Sequence, residues 1–125
     1  ISDEQRKSIQ ARLEEIMENT DEVFDCNFSI SRLSELVGTN LHYLSQIINE
    51  TYGKNFRAFI NEYRIKEAQR RLMNTEKYSN YTIKAIAESV GYKSHSSFIT
   101  LFRNATGITP SLYQQLANQQ KNKEQ

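Results

Sequence analysis

Residues 33–53 read LSELVGTNLHYLSQIINETYG, and residues 86–107 read IAESVGYKSHSSFITLFRNATG. Each stretch holds a short apolar helical pattern, a Val-Gly break, a polar turn, a second amphipathic pattern and a closing Gly. That is the outline of a helix-turn-helix. Shifted by 53, Leu33, Glu35, Val37 and Gly38 fall on Ile86, Glu88, Val90 and Gly91. Beyond the turn the shift becomes 54, because the second turn is one residue longer. Asn40 then meets Ser94, both helix-capping types. Leu44, Ile47 and Ile48 meet Phe98, Leu101 and Phe102, Thr51 meets Ala105, and Gly53 meets Gly107. A duplicated supersecondary unit explains this better than chance.

The rest of the chain also reads as helices. Ser2 with Gln5 forms a capping box for a helix over 3–18, carrying Ile9, Leu13, Ile16 and Met17 at helical spacing. Residues 19–27 are acidic and irregular, with Val23 and Phe24 as anchors. Ser29 caps a helix over 30–37, and Asn40 caps one over 41–52. Asn55 caps a long helix, 56–73, with a wide apolar stripe and a basic remainder. Residues 74–81 form a polar connector. Thr82 caps 83–90, Ser94 caps 95–106, and Thr109-Pro110 starts a last helix over 110–117. The NQQKNKEQ tail, 118–125, is expected to fray.

Composition narrows the class. Of 125 residues only 4 are Gly and 1 is Pro, which favours helices over an all-β fold. No apolar run reaches the ~18 residues of a membrane span, and no signal-peptide pattern opens the chain. The single cysteine, Cys26, cannot pair internally and fits a reducing, cytoplasmic setting. One Cys and two His leave no ligand set for structural zinc, so no metal or cofactor is expected. No nucleophile sits with a base and no Gly loop cradles phosphate, so no catalytic residue is assigned. The net charge is only +1 but is unevenly spread. Residues 1–28 hold 3 Lys/Arg against 8 Asp/Glu, whereas 29–125 hold 13 against 7. The basic surplus follows the repeat, a mild footprint of phosphate binding.

Helical geometry then divides each second helix into two faces. At about 100° per residue, Leu44, Ile47, Ile48 and Thr51 share a buried face, as do Phe98, Leu101, Phe102 and Ala105. His42, Ser45, Gln46 and Asn49 lie opposite the first set. Ser96, Ile99, Thr100 and Arg103 lie opposite the second, with His95 at the exposed start. Small polar groups of this kind suit base edges and thymine methyls in the major groove. Thr39, Asn40, Lys54, Lys93, Ser94 and Arg103 flank these faces at helix ends and turns, where phosphate contact is expected. Glu50 falls to the side. An 18-residue linker helix spans about 27 Å, so two units could meet successive grooves about 34 Å apart.

I-A-x-x-V-G-Y (86–92), S-F-x-x-x-F-R (97–103) and T-G-I-T-P-S-x-Y (106–113) resemble the signature of the AraC/XylS family of bacterial transcription regulators. L-x-x-L-V-G (33–38), Y-L-S-x-I-I-N (43–49) and Y-R-I-x-x-A (63–68) resemble its first half and linker helix. The likeness covers about 29–115. It implies an all-α, homeodomain-like fold of about seven helices, with two helix-turn-helix subdomains joined by a long linker helix. It also implies transcriptional control, with base reading at His42, Ser45, Gln46, His95, Ser96 and Thr100. Relatives that place Arg or Trp at such positions differ from this chain, whose first reading face has neither. The implied partners are double-stranded promoter DNA, RNA polymerase, and a sensor or dimerisation region of a longer chain, with no membrane contact by this segment. The setting is the cytoplasm, as a free regulator or as the cytoplasmic part of a membrane-bound one. The expected division is 1–28 (helix and acidic connector), 29–54 (first helix-turn-helix), 55–81 (linker helix and connector), 82–117 (second helix-turn-helix and final helix) and 118–125 (tail). The alternative is a helical protein-interaction module that kept the fold and lost DNA binding.

Overall fold

The computed structural model describes residues 1–124. Within them lie eight α-helices and one 3-10 turn, with no strand. The chain separates into two units, Ile1–Ile60 and Asn61–Gln125. The boundary falls inside the long helix.

The first unit begins with α1 (Asp3–Asn19), opened by the expected capping box. The Gln5 backbone N–H donates to Ser2 Oγ at 3.1 Å, and the Ser2 N–H donates to Gln5 Oε1 at 2.9 Å. Ile9, Leu13 and Met17 are buried, and α1 packs on α2 (Ile30–Val37) and α3 (Leu41–Tyr52). Between α1 and α2 the acidic connector makes a 3-10 turn, Glu22–Phe24, pinned by buried Val23. Leu33, Val37, Leu44, Ile47 and Ile48 form the centre of this unit. Each such buried side chain contributes about 1.5–3 kcal/mol over its exposed state. Gly38 ends α2 at φ 83°, a conformation that side chains with a Cβ rarely adopt, and so turns the chain sharply into α3. Arg12 of α1 braces that turn. Its Nε donates to the Val37 carbonyl at 2.7 Å, and its Nη1 to Ser8 Oγ. A cation is favourable where helix carbonyls end.

The long helix α4 (Phe56–Met73) serves both units. Asn55 caps it, accepting from the Ala58 N–H at 2.9 Å. Its first turns bury Phe59 and Ile60 in the first unit, where the Phe59 ring meets Tyr52 and Phe56 meets Phe28. Its later turns bury Ile65, Ala68 and Leu72 in the second. There its side chains reach the end of α6 (Ile83–Ser89) and the turn before α7 (His95–Thr106). Arg71 repeats the part of Arg12: its Nη1 donates to the Ser89 carbonyl at 2.9 Å, and its Nε to Glu67, four residues back, at 2.7 Å. Hydrogen bonds from Arg70 first, then Arg71, hold the Glu67 carboxyl below its usual pKa against the opposing effect of burial. Tyr92 lies in this core with its hydroxyl donating to Asn61 Oδ1 at 2.8 Å and its ring 5.5 Å from that of Phe98. Burial pushes its phenol up to about 12, although the Arg64 cation works the other way. Gly91 has φ 107°, a conformation that strains any residue with a Cβ, and a Cβ there would also sit 2.8 Å from Arg64 Nε and push that guanidinium aside.

Four expectations need correction. The connector over 74–81 holds a helical turn, α5 (Thr75–Tyr78), because Asn74 caps it and Tyr78 is buried. The last helix does not stop near 117, and the tail does not fray: α8 runs Pro110–Glu124. No Gly or Pro interrupts it, and extending a formed helix is far easier than starting one. Gln125, the tail's last residue, lies outside the described residues. Leu101 is only half-buried, and Thr51 and Ala105 are exposed, not buried. Angle alone placed them inward, but the core ends before the last turn of each helix. The next residue closes it in each case. Tyr52 reaches Glu14 Oε1 with its hydroxyl at 2.9 Å, and Thr106 Oγ1 donates to the Phe102 carbonyl at 2.8 Å. Finally, the linker helix is more than a spacer, since half of it is core for the second unit.

Candidate nucleic-acid interface

Both second helices are fixed by side-chain caps. Asn40 Oδ1 accepts from the Tyr43 N–H at 2.8 Å, and Ser94 Oγ accepts from the Ser97 N–H at 3.2 Å. These caps use the side chains of Asn40 and Ser94 but leave the first N–H groups of each helix pointing beyond its end, as an anion requires. Thr39 beside the first cap is half-buried, and Lys93 beside the second is exposed.

On α3, His42 and Asn49 are exposed, and Ser45 and Gln46 are half-buried at the edge of the outward face. Two of the four already use their amides. Asn49 Nδ2 donates to the Ser45 carbonyl at 2.9 Å, which folds it back along its own helix. Gln46 Nε2 donates to Glu50 Oε1 at 3.2 Å, and Glu50 is ion-paired with Arg6 of α1. Sequence reasoning set Glu50 aside and gave Arg6 no part. The Gln-to-Glu spacing of four was the available signal, since such residues meet on a helix. Nothing in the sequence connected Arg6 to them.

On α7, His95, Ser96, Thr100 and Arg103 are exposed and Ile99 is half-buried. Ser96 Oγ lies 3.2 Å from Ser94 Oγ. His95, Thr100, Arg103 and Lys93 have no hydrogen-bond or ion-pair partner among the described residues. Ile99 offers an apolar surface for a thymine methyl.

The expected phosphate contacts do not gather at one place. Thr39 and Asn40 stand at the start of α3, and Lys54 follows its C-cap. The 12 residues of α3, about 18 Å at 1.5 Å per residue, and Gly53 lie between them. Lys93 and Ser94 likewise start α7, whereas Arg103 lies in its last turn. Such an arrangement is too wide for a single phosphate. No group of three or more His, Cys, Asp or Glu among the described residues could hold a metal, and no described helix is long and apolar enough to cross a membrane.

Comparison with known proteins agrees with this architecture. A family described as a helix-turn-helix domain matches residues 33–116. The HTH-type transcriptional regulator YtdP of Bacillus subtilis is 29% identical over 114 residues. That match covers 91% of this chain but 14% of the regulator. The C-terminal domain of the two-component response regulator yesN from Fusobacterium nucleatum is 30% identical, with a TM-score of 0.68 over 84% of this chain and 96% of that one. The DNA-binding domain of AdpA, solved in complex with a target DNA, shares the fold at a TM-score of 0.72 and 16% identity, over 92% of this chain and 96% of that one.

Proposed function

The chain belongs to the AraC-type family of helix-turn-helix domains, and from that premise we propose that it binds duplex DNA sequence-specifically as the output domain of a longer transcription regulator. The observation that carries this is the pair of outward faces on α3 and α7. Both are built of small polar side chains, both begin at a capped helix end, and neither is covered by the rest of its own unit. Each unit offers one helix to a major groove. His42, Ser45 and Gln46 read one half-site, and His95, Ser96, Ile99 and Thr100 read the other. Asn49, with one N–H turned back to its own helix, keeps its oxygen and one further N–H for a base. Thr39, Asn40, Lys54, Lys93, Ser94 and Arg103 hold the sugar-phosphate backbone and set register without reading sequence. The two half-sites lie in successive major grooves, about one duplex turn apart. Promoter DNA is the partner this reading names, with RNA polymerase the machinery it would act on.

Salt dependence is the direct test. Phosphate contacts release counterions, so log K falls linearly with log salt, by about 0.9 per phosphate neutralised. The proposal expects such a fall on promoter-length duplex and a footprint of about 15 base pairs or more. Absence of any complex at low salt would remove the DNA reading and leave the chain as a protein-interaction module.

A further inference from the structure

We infer that Gln46 reads adenine in the first half-site, and that Glu50 and Arg6 are positioning residues that set its hydrogen-bonding edge. This rests on the DNA-reading proposal above. A carboxylate only accepts hydrogen bonds, so the Glu50 oxygen 3.2 Å away must face the amide nitrogen of Gln46, not its oxygen. The usual ambiguity of a glutamine amide is thereby settled by chemistry. One N–H of Gln46 is used on Glu50. The amide oxygen and the second N–H remain for a ligand.

That remaining edge is an acceptor beside a donor. Adenine presents the complement in the major groove, a donating N6 amine beside the accepting N7. Guanine presents two acceptors, O6 and N7, and would set the Gln46 oxygen against O6. Held by Glu50, Gln46 therefore discriminates between the two purines instead of rotating to suit either. Asn49 also keeps an oxygen and one N–H, but its bond to the Ser45 carbonyl turns that amide back along its own helix. The second unit has no counterpart, because the equivalent positions are Thr100 and Asn104. Arg6 acts in two ways. It fixes the Glu50 carboxylate from the neighbouring helix, and it offsets a negative charge that would otherwise stand close to phosphates.

Selection from a random duplex pool, followed by competition titrations, reads the preference base by base. One position should favour adenine over guanine by at least about fivefold in the unaltered chain and show no preference in Gln46→Ala, with Glu50→Gln falling to less than about threefold. Glu50→Gln keeps the size of the side chain but can offer either a donor or an acceptor to Gln46. Its other positions should keep their preferences, and Glu50→Asp should recover part of the lost one. A structural role alone would weaken every position together. Arg6→Ala should weaken binding to all duplexes at low salt. Melting curves that stay superimposable confirm that these surface variants fold. The inference is overturned if Glu50→Gln keeps the full adenine preference, if Gln46→Ala changes no position, or if guanine is selected there. In those cases a selected site still upholds the DNA reading. A chain that selects no duplex overturns both.

Discussion

The two units share a scaffold down to single arginines, yet present different faces. Arg12 and Arg71 are each held by the residue four positions back, and each caps the end of the helix before the turn. Leu13 and Leu72 follow them into the two cores. The faces diverge from there. On α3, Gln46, Asn49 and Glu50 are already tied to one another, to the helix or to Arg6 of α1. On α7, His95, Thr100 and Arg103 have no such ties among the described residues. The first face is organised before anything binds, while the second keeps rotamer freedom that binding must remove. A preorganised face favours discrimination, and a free one favours adaptable contact.

The largest effects should show the shared scaffold. Leu44→Ala and Phe98→Ala each remove a fully buried side chain at equivalent positions, and each should cost about 3–5 kcal/mol in chemical denaturation. If one were nearly silent, the equivalence of the two cores would break.

The next effect is confined to the second unit. The Tyr92 phenol has a folded pKa of about 12 against an ordinary 10.0. A raised folded pKa gives stability that is complete below the unfolded value and is lost as pH rises through the folded one. Stability should therefore fall between pH 10 and about 12, by at most about 3 kcal/mol for a shift of this size. Tyr92→Phe should abolish that part of the alkaline loss while weakening the unit at neutral pH through the missing bond to Asn61. An unchanged alkaline limb in Tyr92→Phe would place the titration elsewhere.

The braces should then differ in degree. Arg71 is mostly buried, and its removal strands the Ser89 carbonyl and takes from Glu67 one of its two arginine partners. Arg71→Ala should cost about 1–3 kcal/mol, and Arg12→Ala, on an exposed side chain, about 1 or less. The reverse order in thermal melts would contradict the comparison. Smallest and most uniform is Arg103→Ala. It should weaken specific and random duplex alike and lower the salt slope by about 1, whereas Gln46→Ala should act on one position of the specific site.

Much of this was legible in the sequence, for identifiable reasons. Caps and breaks are local chemistry, so Ser2, Ser29, Asn40, Asn55, Thr82 and Ser94 marked helix starts correctly. The repeat located both second helices and their outward faces. What failed was knowledge of where a core ends. Thr51 and Ala105 have the inward angle, but no neighbour covers them. Position 82–117 was read as ending with a short helix because polar composition looked like fraying, although nothing in 118–124 breaks a helix. The double role of α4 was hidden too, because α1 and α4 share function without sharing obvious sequence. The tie from Arg6 to Glu50 spans 44 residues and leaves no periodic trace.

Unlike faces on a common scaffold predict an unlike pair of half-sites. Selecting bound duplexes from a random pool tests that claim most directly. The account predicts one composite, non-palindromic site whose two halves lie about 10 base pairs apart, centre to centre, with the sharper base preferences in the half facing α3. Recovery of a symmetric palindrome, or no enrichment of any sequence at low salt, would contradict it.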